Sequence, residues 1–171
     1  MKLPHLIALG VPMLGAQAVA ADLSVKFELP QLNVAEYHRP YAAFWIERPD
    51  QSHVVNLAVL YDVKKKDDGG AKWLKDMRQW WRKSGRDVKT PIDGVTGATR
   101  GPGQHALSLN QAQAALAKLP AGQYQLVAEV VREAGGRELL RVPFQWPAKA
   151  AQSIPVKGKA EIAQVSVELK P

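Results

Sequence analysis

The chain has 171 residues and a formal charge of +7, and it contains no cysteine. That composition excludes a disulfide framework, Cys-ligated zinc, iron–sulfur clusters and c-type haem attachment. Much of the positive charge lies between Lys64 and Arg100, which favours an anionic ligand or partner near that segment.

Residues 1–20 read as a secretory signal. Lys2 supplies the basic start, Leu3 to Gly15 is apolar apart from His5, and "AVA" at 18–20 offers the small residues that a signal peptidase accepts. The run is too short, and too broken by Pro4 and Pro12, for a stable membrane span. The mature chain is expected to start near Ala21 and to be exported, and the bacterial look of the signal points to the periplasm. Losing Lys2 lowers the charge to +6. Export argues against nucleic acid as a partner. The remaining segment, 21–171, has the size of one domain with a single core.

Alternation marks the strands. "DLSVKFEL" puts Leu23, Val25, Phe27 and Leu29 on one face, "YAAFWIER" at 41–48 follows, and "VVNLAVLYD" aligns Val55, Leu57, Val59 and Tyr61. After a long excursion come "GQYQLVAEVVRE" and "RELLRVPFQW", a hairpin around "AGG", and "AEIAQVSVEL" as the last strand. Within the excursion, "KKKDDGG" reads as a solvated linker. Trp73, Met77, Trp80 and Trp81 then fit one face of a helix ending near Gly85. A second short helix in "SLNQAQAALAKLPAG" has Ser108 or Asn110 as its cap and ends before Pro120 and Gly122.

These elements predict a mainly β protein, an immunoglobulin-like antiparallel β-sandwich with a helix-and-loop insertion over about 64–106. "LPAGQY" places Tyr124 in a tyrosine-corner role. The insertion is too long for an ordinary connection and holds three of the five tryptophans, which argues for function rather than disorder.

Within it lies "DGVTGATRGPG", 93–103, with four glycines and one proline. Asp93, Thr96, Gly97, Ala98 and Thr99 make a five-point pattern that chance gives on the order of once in a thousand chains of this length. The run resembles the flavinylation motif Asp-x-x-(Ser/Thr)-Gly-Ala-(Thr/Ser), read by FAD:protein FMN transferases. It also resembles, across most of the mature chain, a family of periplasmic proteins of unknown function associated with PepSY-type membrane redox proteins.

The resemblance implies that Thr99 receives FMN through a phosphoester, that Mg²⁺ serves only the attachment, and that a PepSY-type protein is the redox partner. It implies an electron carrier with no stand-alone catalysis, and no Ser/His/Asp arrangement stands out. On this reading Gly97 and Ala98 keep side chains out of the transferase's approach, and Asp93 orients the loop or approaches the metal. Arg100, with Arg86 or Lys89, offsets the phosphodiester charge. Trp80 or Trp81 covers the flavin ring.

Plainer readings stand beside these. The run also reads as a turn in which Asp93 bonds its own backbone, and the tryptophan row as core packing. His38, His53 and His105 share no ligand spacing. The competing function is a secreted β-sandwich that binds an anionic small molecule, a glycan or a partner protein through its basic, Trp-rich insertion.

Overall fold

The computed structural model describes residues 21–171, so the signal reading of 1–20 lies outside the described residues. The strands are β1 (Asp22–Leu29), β2 (Tyr41–Glu47), β3 (His53–Tyr61), β4 (Thr96–Ala98), β5 (Gly103–Ala106), β6 (Gly122–Val131), β7 (Arg137–Trp146), β8 (Gln152–Lys157) and β9 (Gln164–Lys170). One sheet has the order β5-β1-β9-β8 and the other β4-β3-β2-β6-β7. The pairings are antiparallel except that of β3 with β4, which is parallel. The chain is therefore the mainly β, sandwich-like fold that the alternation predicts. No helix among the described residues is long and apolar enough to cross a membrane.

β1 shows how the pattern makes the sandwich. Leu23, Val25, Phe27 and Leu29 are all buried and meet Phe44, Ile46, Leu126 and Val142 of the facing sheet in one core. The rings of Phe27 and Phe44 lie 4.8 Å apart across it. Each such side chain contributes about 1.5–3 kcal/mol on burial. The tyrosine corner is present, with the Tyr124 hydroxyl donating to the Pro120 carbonyl at 2.8 Å.

β2 is buried on both faces. Ala42, Phe44 and Ile46 face the inter-sheet core, while Ala43 and Trp45 join Val59, Tyr61, Leu74, Met77, Trp80 and Val127 in a second cluster. The segment between Tyr61 and Thr96 builds that cluster by folding back over the outer face of the five-stranded sheet.

The single helix expected from Trp73 to Gly85 does not form. Ala71–Asp76 is a 3₁₀ helix, Met77 leaves helical geometry at ψ 72°, and a short α1 follows at Arg78–Lys83. At three residues per turn, side chains three apart line up. Leu74, Met77 and Trp80 are accordingly the buried row, and Trp73 turns outward, 50 % exposed.

Other expectations shift for local reasons. Phe44 pairs with Ala58 and Trp45 with Asn56, so Leu57 is an extra residue in a bulge. Leu57 therefore faces the inter-sheet core, whereas Val59 and Tyr61 face the second one. The second helix, α2, spans only Gln113–Leu116, with Ala112 at its N-cap and no side-chain cap from Ser108 or Asn110. β8 carries Pro155 and reads poorly as a strand, but it is an edge, where a missing N–H costs no ladder bond. β9 begins at Gln164 because the N–H groups of Lys159 to Ile162 all donate to the Glu138 carboxylate instead.

Candidate functional site

The second cluster fixes the path of the insertion. Glu129, fully buried on β6, accepts the N–H groups of Gln79 at 3.0 Å and Trp80 at 2.7 Å, and Arg137 Nε donates to it at 2.6 Å. A carboxylate from another strand thus satisfies the open first turn of α1. Trp80 Nε1 donates to Asn56 Oδ1 at 3.0 Å, and Asn56 Nδ2 donates to Ser84 Oγ at 2.7 Å. From this anchor Val88, Ile92 and Val95 pack along the cluster and return the chain to the sheet.

There the motif becomes a strand. Val59, Leu60 and Tyr61 of β3 pair with Thr96, Gly97 and Ala98 of β4. The Val59 N–H donates to the Val95 carbonyl at 2.9 Å, and the Thr99 N–H donates to the Tyr61 carbonyl at 3.2 Å. A run that reads as an open loop is in fact the edge of the five-stranded sheet. Since residues 95 and 99 point their backbone groups at β3, the alternation of a strand turns those of Ala98 toward solvent.

A tight turn precedes the strand. The Ile92 N–H donates to Thr96 Oγ1 at 2.8 Å, and the Thr96 N–H donates to the Ile92 carbonyl at 2.9 Å. Thr96 therefore closes the turn. Asp93 is exposed and makes no side-chain hydrogen bond to any described residue. Gly94 has φ +62°, and a Cβ there would lie 1.7 Å from Gln111 Cγ. Both its backbone angle and its neighbour demand glycine. A Cβ on Gly97 would lie 3.0 Å from Leu60 Cδ2, so the strand also sits close against β3.

Thr99 follows at the end of β4, half-buried, with Arg100 exposed beside it. The next residues cross from the edge of one sheet to β5 at the edge of the other. His105 Nε2 lies 2.8 Å from the Gly101 carbonyl oxygen and closes this crossover. Arg39, just before β2, approaches it from the other side, with Nε 3.9 Å from where a Gly101 Cβ would be.

The fold thus brings Thr96, Gly97, Ala98, Thr99 and Arg100 together on one edge. Asp93 lies in the turn at the opposite end of β4 from Thr99, and the step from Thr96 to Thr99 alone is about 10 Å at strand rise. The expected ring-covering tryptophans are not there. Trp80 is 0 % exposed, and a Cβ on Gly85 would come within 2.5 Å of its indole, so it is a core residue with no free face. Trp81 lines a shallow hollow with Lys75, Arg78, Arg82 and Arg137, on the β7 side and so across the sheet from β4. Arg86 pairs with Asp87 at 3.7 Å, next to the turn that Ser84 ties to Asn56 near the start of β3, whereas Thr99 sits at the end of β3. Lys89 is exposed between them.

Three residues that the sequence did not single out as site residues do lie at the Thr99 end of the sheet. Arg39, Tyr41 and Trp73 line a hollow of about 300 Å³ together with Asp76, Val131 and Arg132. Trp73 falls on a core stripe at the 3.6-residue period of an α-helix, but the chain there is a 3₁₀ helix and turns it outward. Arg39 lies in an irregular segment with no pattern to read. Tyr41 donates to the Gly70 carbonyl at 3.2 Å, and its ring lies 6.2 Å from that of Tyr61. Burial pushes both phenols above their ordinary value, so both stay neutral at physiological pH.

No curated protein and no solved structure matches the chain. A family model does, over residues 22–164, and its description is a predicted periplasmic protein. That match covers β1 to β8 and the whole insertion, edge strand included, and ends at the first residue of β9, and the chain belongs to this family, DUF2271.

Proposed function

We propose that Thr99 accepts FMN and that the loaded protein is an electron carrier of the periplasm. The observation that carries this reading is that the five motif positions form a half-buried edge strand and its exposed flanking turn, with the acceptor threonine at the strand's end. An edge of this kind offers a second protein the outward backbone groups of Ala98, with only the small Gly97 and Ala98 in the way.

In the transfer, Thr99 Oγ forms a bond to the FMN phosphorus of FAD. The pyrophosphate bond breaks, AMP leaves with the electron pair, and the hydroxyl proton passes to a base of the transferase. The residues around Thr99 suit the product, since a phosphodiester keeps one negative charge and the guanidinium groups of Arg100 and Arg39 flank the crossover. The flavin, once attached, supplies the redox chemistry, and the chain holds and shields it. A PepSY-type membrane protein is the proposed redox partner. Co-production with an FAD:protein FMN transferase, followed by in-gel flavin fluorescence after denaturation, tests the assignment. A fluorescent band that is lost in Thr99→Ala supports it, and a dark wild-type band rejects it.

The cationic hollow around Trp81 favours a second reading, a module that binds an anionic small molecule, glycan or protein. A protein with that role alone keeps its unmodified mass when the transferase is present.

A further inference from the structure

We propose that the hollow lined by Arg39, Tyr41, Trp73 and Val131 is the seat of the isoalloxazine ring; the inference rests on Thr99 being the FMN acceptor. β4 runs parallel to β3, so Thr99 emerges at the end of the sheet where β3 ends, β2 begins and β6 ends. Tyr41 and Val131 are paired residues of β2 and β6 at that same end, and both line the hollow. From β4 to β2 is two strand spacings, about 10 Å. A ribityl phosphate arm is of that reach.

Chemistry selects the same place. Trp73 is half-exposed, and it stands with Tyr41, Val131 and Ala134 as the apolar side of a recess whose polar side carries Arg39, Asp76, Arg132 and Glu133. Its volume of about 300 Å³ lies at the lower end for small-molecule sites. Arg39 connects the hollow to the acceptor, since it lines the hollow and also lies near Gly101, two residues beyond Thr99. It forms no ion pair with a described residue. Arg132, at the floor, is already committed to Glu161 at 2.9 Å, which leaves Arg39 as the cation available to the phosphate or to the electron-rich edge of the ring. Trp80 has no free face, and Trp81 stands across the sheet.

The test uses protein loaded with FMN by co-production with the transferase, with flavin fluorescence expressed per covalently bound flavin as read from intact mass. Stacking on Trp73 quenches flavin emission, so wild type should be dim and Trp73→Leu several-fold brighter. Visible circular dichroism of the bound flavin should fall in parallel, in Trp73→Leu and in Arg39→Gln. Leu keeps an apolar side chain at an exposed position, and far-ultraviolet circular dichroism confirms that each variant is folded. Labelled wild type and Trp73→Leu with equal brightness and equal visible dichroism would overturn the ring site while leaving Thr99 as the acceptor. Wild type that carries no label would overturn the acceptor assignment, and the ring site with it.

Discussion

The N–H of Thr99 donates to the carbonyl of Tyr61, so the acceptor residue is strapped by its backbone to the last residue of β3. A threonine fixed in this way is positioned by the sheet rather than by a loop. Its hydroxyl is not needed for that bond, which separates its chemistry from its structural role.

Asp93 tests whether the motif is read by a second protein. It makes no side-chain hydrogen bond to a described residue, so Asp93→Asn should change stability by no more than about 0.5 kcal/mol. The initial rate of FMN incorporation into purified apo protein, with transferase, Mg²⁺ and FAD in excess, should fall strongly. A variant labelled as fast as wild type would remove Asp93 from recognition.

Gly94 tests whether the turn before β4 is held as described. Its positive φ and its contact with Gln111 both oppose a side chain. Gly94→Ala should cost about 1–3 kcal/mol in urea denaturation. Because the Cβ of Gln111 itself would lie 2.4 Å away, the partner change is Gln111→Gly: measured against Gln111→Gly alone, Gly94→Ala should then cost only the part due to φ, and no remaining cost would show that the backbone angle costs nothing.

Glu129 tests the anchor of the insertion. Glu129→Ala removes the acceptor for two backbone N–H groups of α1 and the partner of Arg137. The expected loss is about 2–4 kcal/mol, read as an earlier tryptophan-fluorescence transition in urea. A loss below about 0.5 kcal/mol would mean that α1 does not depend on this carboxylate.

Glu138 gives a pH dependence. Burial alone would raise its carboxyl, but four backbone donors from Lys159 to Ile162 outweigh burial and hold it below the ordinary glutamate value. Because the folded value is depressed, the stabilisation is complete above the unfolded value and is lost as pH falls through the folded one. Wild type should therefore lose stability on acidification through that window, and Glu138→Gln should flatten the slope while being less stable at neutral pH. An unchanged acid slope in the variant would show that another group sets it.

How legible all this was depends on whether one face of an element or two are buried. β1 has one buried face, and its alternation gave the strand and its core residues directly. The Tyr124 corner was legible because the five residues from Pro120 to Tyr124 make it. β2 is buried on both sides and β3 carries a bulge, so period alone misplaced Leu57. The insertion misled for a related reason: Leu74, Met77 and Trp80 are three apart, a 3₁₀ spacing, and the eye follows the helical series that includes Trp73. The motif was legible as chemistry but not as structure. Gly97 and Ala98 have no strand propensity, and only pairing with β3 makes them one. The hollow at Arg39 draws on segments far apart in sequence, and nothing local signals it.

The most direct measurement of the central claim is peptide mapping of protein co-produced with the transferase. Trypsin releases residues 90–100, "TPIDGVTGATR", which contains the whole motif and three threonines, Thr90, Thr96 and Thr99. Fragmentation by tandem mass spectrometry separates the three. The account predicts the FMN mass increment on Thr99 alone, its absence in Thr99→Ala, and partial labelling in Thr99→Ser. An increment on Thr90 or Thr96, or an unmodified peptide from fully active transferase, would contradict it.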